Sequence, residues 1–115
     1  MKMLHVTIQT ARFDEELAFY RDIAGLTVRR DARPGRDMVF LSDAEGDTEI
    51  EIIRSEESLY AGNAFLSVGF KTAGAEAFRA ELEAKGYEPG PMVTPGPGVA
   101  FFFVRDPAGV NVQFM

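Results

Sequence analysis

The chain has 115 residues, 46% of them hydrophobic and 26% charged, which is the length and mix of one folded domain with a real core. An excess of 18 acidic over 12 basic residues gives a net charge of -6, which repels a phosphate backbone, and nucleic acid is therefore not an expected partner. Cysteine is absent and histidine occurs once, so disulfides, thiolate metal sites, cysteine nucleophiles and any two-histidine metal triad within one chain are excluded.

The opening stretch MKMLHVTIQT lacks the long apolar core of a signal peptide, and no apolar run approaches a membrane span of about 20 residues. A cytoplasmic protein with no membrane association is the expectation. Residues 4–10 alternate, with Leu4, Val6 and Ile8 on one face and His5, Thr7 and Gln9 on the other, as in a half-buried strand. Asp14 is the expected N-cap of a helix, with Phe13 as its hydrophobic staple, Leu17, Tyr20 and Ala24 at helical spacing, and Gly25 at its C-terminal end. Three short strands are expected over 26–30, 38–42 and 49–54, separated by the turns at 33–35 and 43–47. The polar stretch 55–63 reads as a linker.

The order then repeats. A strand over 65–71 precedes a helix over 74–85 with Ala75, Phe78 and Leu82 inward and Gly86 at its end. Two Pro-Gly runs, Pro89-Gly90-Pro91 and Pro95-Gly96-Pro97-Gly98, make the next strand short or bent. Strands over 99–104 and 110–114 then bracket the tight turn 105–109. The halves also match residue by residue at an offset of 62: Val6 with Val68, Thr10 with Thr72, Ala11 with Ala73, His5 with Ser67 and Glu51 with Gln113. Two copies of this size are too few for a solenoid and read as a duplicated module. The expected fold class is α+β, two βαβββ modules in tandem within a single domain 1–115, module one at 3–54 and module two at 64–115. Period two puts His5, Glu51, Ser67 and Gln113 on the polar strand faces, with the helices covering the opposite faces and the polar faces forming a concave trough.

These features resemble the vicinal oxygen chelate superfamily, which contains glyoxalase I, bleomycin-resistance proteins and extradiol dioxygenases. The resemblance covers nearly the whole chain. It rests on His5 at the head of the first strand, Phe19-Tyr20 and Gly25-Leu26 downstream, Glu51 in the strand closing module one, the helix end Ala84-Lys85-Gly86, and Asp106-Pro107-Ala108-Gly109 before the last strand. Family enzymes deliver metal ligands from four strands, and position by position the resemblance implies His5, Glu51 and Gln113 as candidate metal ligands, with Ser67 in the slot usually held by histidine. It implies either one divalent metal (Ni, Zn, Mn or Mg) or a metal-free pocket, and also a homodimer.

The departures bear on chemistry. A hydroxyl at Ser67 and an amide at Gln113 remove a nitrogen donor and a charge from the family set. Extradiol oxygenation on iron needs two histidines and a carboxylate and is excluded if each trough draws one residue from each strand, since even a dimer then supplies one histidine per trough. Glyoxalase-type isomerisation would leave Glu51 as the candidate catalytic base, because Gln113 cannot take a proton. Two functions follow: a metal-assisted lyase or isomerase on a small oxygenated substrate, or a metal-free protein that sequesters an aromatic or cationic compound, as bleomycin-resistance proteins do. Ser67, Gln113, Phe40 and Phe101 are the expected small-molecule contacts in either case. The plainer readings stand beside these: His5 as an idle surface histidine, Glu49, Glu51 and Arg54 as a surface charge pattern, Phe101-Phe102-Phe103 as sheet core, and the arginines at 29, 30, 33 and 36 as a solvated strand and loop.

Overall fold

Alternation over residues 4–10 becomes strand β1 (His5–Thr10) in the computed structural model, which describes all 115 residues. It is followed by helix α1 (Phe13–Ala18), a π-helical turn (Phe19–Ile23), and strands β2 (Thr27–Asp31), β3 (Met38–Ser42) and β4 (Glu49–Arg54). The sheet order is β1-β4-β3-β2, with β1 parallel to β4 and the other pairs antiparallel. One face is apolar: Ile8, Val39, Leu41, Ile50 and Ile52 are buried there, and α1 packs on β1 and β4 with Phe13 and Leu17 buried. Each such large apolar side chain stabilises the fold by about 1.5–3 kcal/mol.

The second half repeats the plan: β5 (Ser67–Phe70), α2 (Ala75–Ala84), β6 (Val93–Gly96), β7 (Val99–Arg105) and β8 (Asn111–Phe114), in the order β5-β8-β7-β6. Leu82, Phe102, Val104, Val112 and Phe114 are buried, and the Phe78 ring of α2 meets Phe114 edge-on at 4.8 Å. The β7–β8 turn is held by the buried Asp106, whose Oδ1 accepts hydrogen bonds from the backbone N–H of Ala108 (3.0 Å) and Val110 (2.8 Å). The chain thus forms two units, Met1–Tyr60 and Ala61–Met115, each one βαβββ module. No helix is long and apolar enough to cross a membrane.

Several local expectations are corrected. Asp14 does not cap α1; its carboxylate pairs with Arg54 Nη2 at 3.1 Å, and the cap residue is Arg12, whose carbonyl accepts the Glu16 N–H. The helix widens over Phe19–Ile23, where the Ala24 N–H reaches back five residues to the Phe19 carbonyl; Phe19 and Tyr20 are both buried there. Gly25 then turns the chain with φ +73°. The second strand lies one residue later than expected, because Leu26 is tied by its N–H to the Tyr20 carbonyl. The strand expected from residue 65 begins only at Ser67: Asn63 Oδ1 accepts the N–H groups of Phe65 and Leu66, holding that segment in an Asx-type turn.

Candidate functional site

The polar face of the first sheet follows from its register. Thr7 lies opposite Glu51 and His5 opposite Glu49 across β1–β4, while Phe40 lies opposite Glu51 across β3–β4. His5 and Glu51 are therefore diagonal neighbours, and their side chains meet with Nε2 3.6 Å from Oε1. The Glu51 side chain is only 11% exposed, against 37% for His5. Glu51 Oε1 also accepts a 2.5 Å hydrogen bond from the Thr7 hydroxyl, and its Oε2 accepts none from the chain. A carboxylate taken out of water needs such a donor, since an unpaired one would be costly to bury.

Phe40, 8% exposed, forms the wall beside this pair, edge-on to the His5 ring with centroids 5.7 Å apart. Arg30 lies over the Phe40 ring at 3.7 Å while its Nη2 bonds Glu49 at 2.7 Å, placing a cation against the aromatic face. The arginine cluster is thus largely occupied by the chain itself: Arg29 binds Ser42 and the Asp43 carbonyl, Arg30 binds Glu49, and Arg33 binds Asp31. That last pair holds the Asp31 carboxyl down at about 2, chiefly through the Arg33 side-chain hydrogen bond. The surface pattern expected of Glu49, Glu51 and Arg54 does not form, because Arg54 turns to Asp37 and Asp14, which together raise its own pKa.

Ser67 and Gln113 have the same diagonal relation in the second unit: Ser67 lies opposite Asn111, and Gly69 opposite Gln113. Ser67 is exposed and Gln113 half-buried. Phe102 belongs to the core, so alternation puts Phe101 and Phe103 on the face carrying Gln113, and their rings meet edge-on at 5.8 Å. Hence His5, Glu51 and Phe40 are brought together in one unit, and Ser67, Gln113 and Phe101 share one face of the other. No group of three or more His, Asp or Glu side chains is placed to hold a metal ion. Thr7 and Arg30 are the contacts that sequence reasoning missed as site residues. Thr7 was visible only as a neighbour on the polar face, and its partner requires the parallel β1–β4 register.

A model of the Glyoxalase/Bleomycin resistance protein/Dioxygenase superfamily matches residues 2–114. Among solved structures, the chain is similar to the fosfomycin resistance protein FosX from Listeria monocytogenes, with 14% identity, a TM-score of 0.80, and coverage of 99% of this chain and 91% of that one. It is also similar to the trypanothione-dependent glyoxalase I of Leishmania major, with 20% identity, a TM-score of 0.78, and coverage of 100% and 86%. A glyoxalase family protein from Enterococcus faecalis shares 26% identity at a TM-score of 0.73, with coverage of 98% and 95%. No curated protein matches the sequence.

Proposed function

The chain belongs to the glyoxalase/bleomycin resistance protein/dioxygenase superfamily, and from that premise we propose that it binds a small molecule without a metal, on the polar face of the first unit that carries His5 and Glu51. The observation that carries this reading is the state of Glu51. Its carboxylate has a hydroxyl donor from Thr7 and a histidine neighbour, and one oxygen remains open to a ligand. The donor set points the same way. Within the first unit, one imidazole and one carboxylate already bonded to a hydroxyl are too few donors for a divalent site, and Glu51 is the sole candidate base there.

The ligand class that suits this face is an aromatic cation. A buried carboxylate in a chain of net charge -6 attracts positive charge, and the exposed His5 imidazole beside it, rather than Phe40, whose face Arg30 covers, offers a planar group a ring surface. Benzamidine is the probe, with benzyl alcohol and benzoate as controls. Saturable benzamidine binding that perturbs the His5 and Thr7 amide resonances, survives chelator treatment and weakens in Glu51→Gln is the expected outcome. Binding that disappears with chelator and returns with added metal would return the metal-assisted lyase or isomerase to first place.

The assembly proposed is a homodimer in the cytoplasm. Each sheet keeps open edge strands, and Leu59, Phe65 and Leu66 are exposed, Phe65 at 98%. Sedimentation equilibrium should give twice the chain mass of 12.7 kDa; a monomer at all concentrations would contradict it.

A further inference from the structure

Register puts Glu51, Phe40 and Arg30 in one row across β4, β3 and β2, with Phe40 between the two charged residues. Glu49 shares the face of β4 that carries Glu51, since the two alternate with the buried Ile50. Arg30 Nη2 bonds Glu49 Oε1 at 2.7 Å, so one of the two carboxylates has the chain's own guanidinium as its partner. The other, Glu51, meets the Thr7 hydroxyl and the His5 imidazole but no arginine or lysine.

Arg30 also covers an aromatic ring. Its Cζ lies 3.7 Å from the centroid of Phe40, and the His5 ring meets Phe40 edge-on at 5.7 Å. Phe40 is therefore buried, while the Arg30 side chain above it stays 58% exposed. The position of this cover is built into the backbone. Val28 pairs with Leu41 and Arg30 with Phe40, so an extra residue, Arg29, bulges out of edge strand β2. That bulge puts Arg30 rather than Arg29 opposite the ring, as bulges beside sites re-aim side chains. Arg29 turns instead to the Ser42 hydroxyl and the Asp43 carbonyl.

We propose that Arg30 is a specificity-determining residue: it fills the cation site on Phe40 with the chain's own guanidinium, and so directs binding at Glu51 toward planar cations that donate N–H bonds and away from quaternary ammoniums. This rests on the ligand class proposed above and narrows it. A quaternary ammonium has no N–H to give Glu51 and gains chiefly from aromatic faces, and here the face is taken. An amidinium gives the carboxylate a charge-assisted hydrogen bond that needs no ring. Loss of the Arg30 side chain uncovers Phe40 and frees Glu49 together, which supplies the aromatic and anionic surroundings that a quaternary ammonium lacks in the intact chain.

The test titrates benzamidine and phenyltrimethylammonium into the wild type, Arg30→Ala and Arg29→Ala, and follows nuclear Overhauser effects from the trimethyl protons to the Phe40 ring. Arg29→Ala removes the same charge from the same strand without uncovering Phe40. The wild type should bind benzamidine more tightly than phenyltrimethylammonium and show no trimethyl contact with Phe40. In Arg30→Ala, phenyltrimethylammonium should tighten at least about threefold beyond its change in Arg29→Ala, the worth of one exposed cation–aromatic contact, and the trimethyl contact should appear. Arg30 is exposed on an edge strand, so its replacement keeps the fold. Equal gains in the two variants, or a trimethyl contact with Phe40 already in the wild type, would overturn the proposal. If benzamidine fails to bind the wild type, the function proposed above fails and this selectivity with it; if benzamidine binds and the Arg30→Ala gain is missing, only this proposal fails.

Discussion

The two sheets are built to one plan and furnished differently. In both, the first strand pairs in parallel with the last, and the candidate residues are diagonal across that pair: His5 and Glu51 in one unit, Ser67 and Gln113 in the other. The apolar faces explain why the plan persists. Ile8, Ile50 and Ile52 in one sheet, and Val112 and Phe114 in the other, must stay on the buried side, and a one-residue slip would turn all of them outward. Register is therefore fixed from the core side, which leaves the polar side free to change its chemistry. Unit one carries an imidazole, a carboxylate and a hydroxyl that bonds it, whereas the matching positions of unit two are Ser67, Gln113 and Gly69. The pair teaches that one strand geometry can carry two different sets of polar side chains.

The largest expected effect tests the turns that close each sheet. Gly109 has φ +95° and backbone packed against Ala61, so that a Cβ would run into the Ala61 carbonyl, whereas Gly46 in the β3–β4 turn has φ +87° and nothing near it. Gly109→Ala should cost about 2–5 kcal/mol in urea unfolding, combining left-handed strain with overpacking, and Gly46→Ala only about 1–2 kcal/mol. Equal costs would mean that the two turns are not as different as their surroundings indicate.

Next in size is the hydroxyl that distinguishes the two polar faces. Thr7→Val keeps the shape of the side chain but leaves the buried Glu51 carboxylate without its donor, and should cost about 1–3 kcal/mol in the same measurement. A neutral substitution would show that Glu51 is satisfied by water and that the two faces differ less than proposed. The smallest effect concerns Asp31, on the edge strand of the first unit. Its carboxyl is held at about 2, below the ordinary 3.8, so the Asp31–Arg33 pair contributes stability that is fully present above the unfolded value and lost as pH falls through about 2. The carboxyl resonance of Asp31 should titrate with a midpoint near 2, and Arg33→Ala should return it toward the ordinary value. The pair is exposed, so its effect on stability is small.

Legibility in the sequence followed the same division between core and surface. Strands β3, a continuous apolar run, and β4, which alternates over Glu49–Ile52, are bounded by turn residues, and their observed limits, Met38–Ser42 and Glu49–Arg54, are the expected ones. The helix cap was misread because Asp14 has a partner 40 residues away in Arg54, a competition that no local pattern reveals. The start of β5 was misread because Asn63 captures two backbone N–H groups that propensity alone would assign to a strand. That His5, Glu51, Ser67 and Gln113 lie on polar strand faces was legible from the repeat and the alternation together, but their diagonal pairing was not. The Thr7–Glu51 bond was not, since it depends on knowing that β1 pairs with β4 rather than with its neighbour in sequence. Arg30 was hidden for a similar reason: it reads as one of four solvated arginines until the sheet brings it over Phe40.

The central claim is that the retained His5 and Glu51 no longer form part of a metal site. Calorimetric titration of chelator-stripped protein with Ni, Zn, Mn and Mg, alongside His5→Ala, tests it most directly. The account predicts no tight binding by either protein; tight binding of any of these ions that is lost in His5→Ala would contradict it.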